Sequence, residues 1–167
     1  MNIKKAVPQD ASKVLDLLQK LDGETKFMLF ESGERKTTLT EQEKIIGEID
    51  NVVIFCALDN EDFIGIVIGY RGKFKRKRHS LYIVIGVLKT FWGNGVGRSL
   101  IKVIEKWSVN NDCHRLELTV VTHNERAVRL YHKLGFLIEG VRQHSLLVDD
   151  CYFDEYYMSK LVAQSAT

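Results

Sequence analysis

The chain has 167 residues, 24 Lys plus Arg against 22 Asp plus Glu, and 45% apolar residues. That is room for one sizeable core, so a single domain over residues 1–167 is expected. The near-balanced charge and the aliphatic and aromatic content exclude intrinsic disorder and give no global attraction to nucleic acid or an anionic membrane. No apolar run approaches the roughly 18 residues of a membrane-spanning helix, and the polar opening over residues 1–8 lacks a signal core, which points to the cytoplasm. Three widely spaced cysteines, Cys56, Cys113 and Cys151, fit neither a disulfide scaffold nor a paired-cysteine zinc site and read as free thiols.

Residues 3–7 alternate as a short strand. Asp10 is expected to cap a helix that carries Val14, Leu15, Leu17, Leu18 and Leu21 at helical spacing and closes at Asp22-Gly23. A second helix is expected from Thr40, with Glu43 completing a capping box and Ile45, Ile46 and Ile49 forming its buried side. Residues 52–58 and 63–70 read as a hairpin around Asn60-Glu61-Asp62. A basic segment, 71–79, reads as a solvated hairpin, with contact to nucleic acid, an acidic acceptor or a partner as the alternatives, and the apolar, β-branched run 80–87 reads as a strand buried on both faces. Residues 96–111 then carry helical periodicity, and 115–121 alternate as a strand. Asn124 can cap a further helix that Gly135 ends, before two last strands, 136–147 and 151–161, joined near Asp149-Asp150. The order defines an α/β chain with a mixed sheet.

The stretch 87–100 places Gly93, Gly95 and Gly97 between a strand and a helix start. Glycines let the backbone approach an anion, successive N–H groups point into the concavity, and the helix N-terminus adds partial positive charge. A tight turn needing positive φ would use the same glycines. A Walker A loop needs a Lys after its last glycine, and none stands there. A dinucleotide fingerprint would put its last small residue at Arg98 or Leu100, and both registers fail.

What remains resembles the acetyl-CoA signature of the GNAT superfamily of N-acetyltransferases, in which Arg or Gln, two residues, then Gly-x-Gly/Ala follow a strand and open a helix. Trp92 to Gly97 fills that frame, with Trp92 at the usual Arg or Gln position. The segment 122–136 is similar to the other half of the family pattern: Asn124 and Tyr131 lie seven apart, near one helix face and two turns apart. The resemblance covers residues 80–160, and more weakly the whole chain. The ending 154–160, with Glu139, Gly140 and Arg142 before it, is similar to bacterial small-molecule or protein-amine acetyltransferases.

The resemblance implies a mixed, mostly antiparallel twisted sheet of about six to seven strands flanked by about four helices. It also implies acetyl-CoA as cosubstrate, a primary amine of a small molecule or protein as acceptor, and direct transfer in a ternary complex; the absence of metal-site spacing among the histidines separately points to chemistry without a metal. Ile85 and Val87 would pair the pantetheine arm like an added strand, with the Val87 N–H against the thioester carbonyl. Trp92, Gly93, Asn94, Gly95, Val96, Gly97, Arg98 and Ser99 would surround the pyrophosphate, and Asn124 and Ala127 would meet the pantetheine. Tyr131 would donate to the departing thiolate as general acid, since a phenol stays protonated at neutral pH. Family members are often dimers, though no feature of this sequence demands one.

An alkyl amine lies about 3.4 pH units from neutrality at pH 7, a cost of roughly 4–5 kcal/mol that calls for a base. Some relatives carry a Glu five residues before the Asn, where this chain has Thr119; Glu117 shares its strand parity and is the expected base, acting through water. Glu31, Asp149 and Asp150 are alternatives. His114, His123, His132 and His144 lack metal-site spacing. An acyl-CoA-binding sensor of the same fold is the alternative to an enzyme, and a nucleic-acid-binding module built on the basic run, with steeply salt-dependent binding, is a third reading that ranks behind both.

Overall fold

The structure is a computed structural model that describes residues 1–162. Its strands are β1 (Asn2–Lys5), β2 (Val52–Asp59), β3 (Asp62–Arg71), β4 (Ser80–Val87), β5 (Arg115–Val121), β6 (Leu137–Val148) and β7 (Cys151–Leu161). Its helices are α1 (Ala11–Glu24), α2 (Leu39–Gly47), α3 (Val96–Asn110) and α4 (Glu125–Lys133). The seven strands form one sheet in the order β1-β2-β3-β4-β5-β7-β6, with β4 and β5 parallel and every other neighbouring pair antiparallel.

Side chains alternate across a strand, so a strand covered on both faces reads as a continuous apolar run. On β2, Val53, Phe55 and Ala57 join one core with Leu100, Ile101 and Ile104 of α3, while Ile54 and Cys56 join a second with Val14, Leu17 and Leu21 of α1. The sheet is therefore sandwiched between the α1–α2 layer and the α3–α4 layer. The β6–β7 hairpin closes on Asp149 and Asp150, both in the left-handed region at φ 49° and 60°, as a tight two-residue turn requires.

Four local expectations are corrected. Asp10 stands at the N-cap position of α1 but makes no side-chain cap bond: its carboxylate accepts from the Val7 N–H at 3.0 Å and from Lys4 at 2.9 Å, closing the short turn before the helix. The helix then runs on past Asp22-Gly23 to Glu24, because Asp22 is turned inward onto Arg35 at 2.7 Å. The capping box of α2 lies two residues earlier than Thr40 and Glu43: Thr38 Oγ1 accepts from the Glu41 N–H, and Glu41 accepts from the Thr38 N–H. This earlier start ends α2 at Gly47 and leaves Ile49 66% exposed. Finally, β4 is buried on both faces only at its beginning. From Val84 onward, Val84, Ile85, Gly86 and Val87 are half-buried, because β5 has left its side.

Two consequences concern stability and reactivity. The side chains of Asp22 and Arg35 are 1% and 12% exposed, and their pair ties the α1–α2 connection to α1. Asp22→Ala strands a shielded guanidinium and is expected to cost about 3–5 kcal/mol in urea unfolding. Cys56 and Cys113 are buried and Cys151 is exposed, and burial pushes the Cys56 thiol up to about 12. A native-state thiol titration should therefore show one fast-reacting cysteine, rising to three on unfolding.

Candidate active site

The site begins where two parallel strands part. β4 and β5 pair at Ser80–Arg115, Leu81–Leu116 and Tyr82–Glu117 and no further, while β5 stays paired with β7 along its whole length. Across the parting, the Tyr82 hydroxyl and Thr119 Oγ1 bond at 2.9 Å. The Leu88 N–H donates to Ile64 O of β3. By alternation, the backbone polar groups of Ile85 and Val87 face away from β3, into the gap. The gap thus presents the unpaired edge of a strand.

At the end of β4 the chain turns through Trp92, Gly93, Asn94 and Gly95, all exposed, into α3. Gly93 and Gly95 have φ of 85° and 78°, a conformation that glycine adopts without penalty. Gly95 is the N-cap of α3 and supplies no side chain. The first helical bond runs from the Ser99 N–H to Gly95 O, so the N–H groups of Val96, Gly97 and Arg98 have no intrahelical acceptor. A Cβ at Gly97 would sit 3.1 Å from Leu130 Cδ2, so this glycine lets α3 approach α4. The result is a cluster of free amides at the positive end of a 15-residue helix, a setting that favours an anion.

Trp92 has a definite place. Its Nε1–H donates to Val87 O at 2.7 Å, which occupies that gap-facing carbonyl and leaves the Val87 N–H free of it. The guanidinium of Arg126, in the first turn of α4, lies 4.8 Å from the centre of the Trp92 ring. A cation therefore reaches the glycine loop from the second segment, where the sequence offers none in the loop before Arg98. The signal for Arg126 lay two residues after Asn124, but nothing local to α4 shows that its first turn faces the loop.

Asn124 Oδ1 accepts from the Ala127 N–H at 3.3 Å and caps α4, which leaves its side-chain NH2 as a donor. Tyr131 lies on the same helix, buried, with its ring 5.8 Å from that of Phe136. Burial raises the phenol's pKa, and Tyr82 pushes it in the same direction.

Glu117 is buried on the side of β5 that carries Thr119, beside Tyr82. Its carboxylate accepts from Arg115 at 2.8 Å, and Arg115 also binds Glu139. Hydrogen bonds from Arg115 and then Ser159 hold Glu139 well below the usual carboxylate range, at about 2. Tyr157 lies against the same group, its pKa raised by burial first and then by the charge of Glu117. The other carboxylates lie elsewhere. Glu31 and Asp150 are exposed, and Asp149 is paired with Lys26.

That last ion pair spans a cleft of about 200 Å³ between the α1–α2 connection and the β6–β7 hairpin. Phe27, Val121, His123, Val148 and Phe153 line it, and the His123 ring lies 5.7 Å from Phe27 and 4.6 Å from Phe153. Val121, at the end of β5, continues the strand parity of Glu117 and Thr119, so the cleft it lines opens on the same face as those residues.

A strand-end glycine loop, a parted parallel pair and a following Asn–Tyr helix define an acetyltransferase scaffold. The chain belongs to the acetyltransferase (GNAT) family, whose model matches residues 16–136. Among its relatives is the L-amino acid N-acetyltransferase AaaT of Escherichia coli (strain K12), 36% identical over 64 residues. That match spans 38% of this chain and 38% of AaaT, so only part of the curated relative's length is matched. A GNAT-family acetyltransferase structure from Streptococcus pneumoniae shares 32% identity and a TM-score of 0.91, over 97% of this chain and 99% of that one. A phosphinothricin acetyltransferase from Sinorhizobium meliloti, solved in complex with acetyl-CoA, is 16% identical at a TM-score of 0.84, covering 99% of this chain and 91% of its own, and shows the shared fold. Among the described residues no helix is long and apolar enough to cross a membrane.

Proposed function

We propose that the chain moves the acetyl group of acetyl-CoA to a primary amine of a small molecule or protein, by direct transfer in a ternary complex. The observation that carries the reading is the parting of β4 from β5 after three residue pairs, beside a helix start whose N–H groups have no acceptor. When bound, acetyl-CoA supplies an activated thioester and a thiolate leaving group.

The N–H groups of Val96, Gly97 and Arg98 and the Arg126 guanidinium hold the pyrophosphate. The gap-facing polar groups of Ile85 and Val87 and the Asn124 side chain align the pantetheine, and the Val87 N–H polarises the thioester carbonyl. The cleft beside His123 admits the acceptor, whose ammonium must lose a proton at a cost of roughly 4–5 kcal/mol at pH 7. Glu117 draws that proton through water, with Arg115 fixing the carboxylate's orientation. Tyr131, held protonated by burial, hydrogen-bonds to the departing sulfur and passes it the phenolic proton. Attack by the neutral amine forms the C–N bond and breaks the C–S bond; of the two protons the ammonium loses on becoming an amide, Glu117 passes the first to solvent, and the second, lost from nitrogen after attack, restores the phenol through solvent, so the cycle closes.

The test is release of free CoA thiol with a panel of amino acids, polyamines, aminoglycosides and peptide N-termini. Acceptor-dependent release with a matching acetylated product is expected. Acetyl-CoA binding with no release from any amine would favour a sensor of the same fold instead.

A further inference from the structure

The turn between β3 and β4 takes no part in the site just described. It lies at the start of β4 and the glycine loop at its end, about 26 Å apart for an eight-residue strand. Its base is rigid. Arg71 donates to Arg78 O and Asn111 O, both at 2.8 Å, and Arg78 donates to Asn51 Oδ1. A Cβ at Gly72 would lie 2.2 Å from Lys77 O, so the chain doubles back on itself at a position only glycine can fill. The Gly72 N–H closes the turn onto Ser80 O.

On this fixed base stand Lys73, Lys75, Arg76 and Lys77, all exposed, and none is ion-paired among the described residues. Their four charges exceed the net +2 of the whole chain, so the rest of the molecule is net acidic and the positive field is concentrated here. Phe74 lies among them and is 79% exposed. Lys75–Lys77 form a single 3-10 turn, which directs successive side chains about 120° apart. The cations therefore surround the tip instead of facing one plane.

We propose that this turn docks single-stranded nucleic acid. An exposed aromatic ring offers a stacking platform to any base, and unpaired cations around it meet the flanking phosphates. A flexible polyanion can bend round a tip charged on several sides, whereas a rigid acidic protein face meets only one of them. The pre-formed base of the turn means that little ordering accompanies binding. Composition alone argues against such a partner because it averages the charge over the chain; the fold gathers that charge at one projecting point.

The experiment is fluorescence anisotropy of a labelled oligoadenylate of about 12 nucleotides with the full chain at about 50 mM salt. Binding is expected to weaken with a log–log salt slope of roughly −3 for four phosphate contacts, or about 50-fold between 50 and 200 mM. Replacing Lys73, Lys75, Arg76 and Lys77 by Glu together should abolish it. Phe74→Ala should weaken binding roughly 5- to 100-fold at an unchanged salt slope, a result a loss of folding would not give. Thermal unfolding and acetyl-CoA binding of both variants should match the parent. Absence of binding at low salt, indifference to both variants, or equal competition by oligoglutamate of the same charge would overturn the proposal, the last by assigning the turn to an acidic protein partner.

Discussion

Tyr131→Phe is expected to slow acetyl transfer by about 10²–10⁴-fold while changing acetyl-CoA affinity by less than about threefold. The substitution removes one hydroxyl and keeps the ring that packs against Phe136, so the α4 core survives. Burial and the neighbouring Tyr82 keep the phenol protonated through the neutral range, and on the proposed mechanism its loss leaves the thiolate to depart without a donor. Because the phenol's pKa lies above its ordinary value, the alkaline limb of the parent's rate profile should not fall near pH 10, where an unperturbed tyrosine ionises. Steady-state kinetics with calorimetric affinities checks this prediction. A variant with parental rate would remove Tyr131 from the chemistry.

Gly95→Val is the second large effect, and it should act on binding. At φ 78° a β-branched residue is strained by on the order of 1–3 kcal/mol. The space a Cβ would enter at Gly95 is open, with nothing within 4 Å, so the new side chain stands in open space at the helix start and not in the core. Both effects oppose an anion on the helix start, and acetyl-CoA affinity should fall about 100-fold, equivalent to about 2.7 kcal/mol. Calorimetry reads the loss directly. Unaltered affinity would place the pyrophosphate elsewhere.

Much of the layout is local and therefore legible in sequence. The β4 run, the alternating glycines, the Asn124 cap and the Asp149-Asp150 turn each depend on neighbours a few residues away, and all stand where periodicity and turn chemistry place them. The capping box shows the limit of that logic. Thr38 with Glu41 and Thr40 with Glu43 satisfy the same pattern, and the choice falls to burial of Gln42 and Ile46, which only the packed sheet decides. Asp10 likewise had two uses, and Lys4 and Val7 won it from the helix.

The site was legible where it is backbone and illegible where it is tertiary. Glycine spacing announces free amides, but the parting of β4 and β5 depends on how far two distant strands stay paired. The same holds for Arg126 over Trp92, for the Tyr82–Thr119 bond, and for the cleft that Lys26 and Asp149 span from opposite halves of the chain. Glu117 is recognisable by parity, whereas its pairing with Arg115, and through it with Glu139, appears only once β5, β6 and β7 lie side by side.

The central claim is that the glycine loop and the strand gap together hold acetyl-CoA. The most direct measurement is isothermal calorimetry of the full chain with acetyl-CoA, with desulfo-CoA, NAD and ATP as comparisons, at two salt concentrations. The account predicts a one-to-one complex with acetyl-CoA at a Kd of about 1–100 µM, retained by desulfo-CoA and absent with NAD. No heat with acetyl-CoA, or equal binding of NAD, would contradict it.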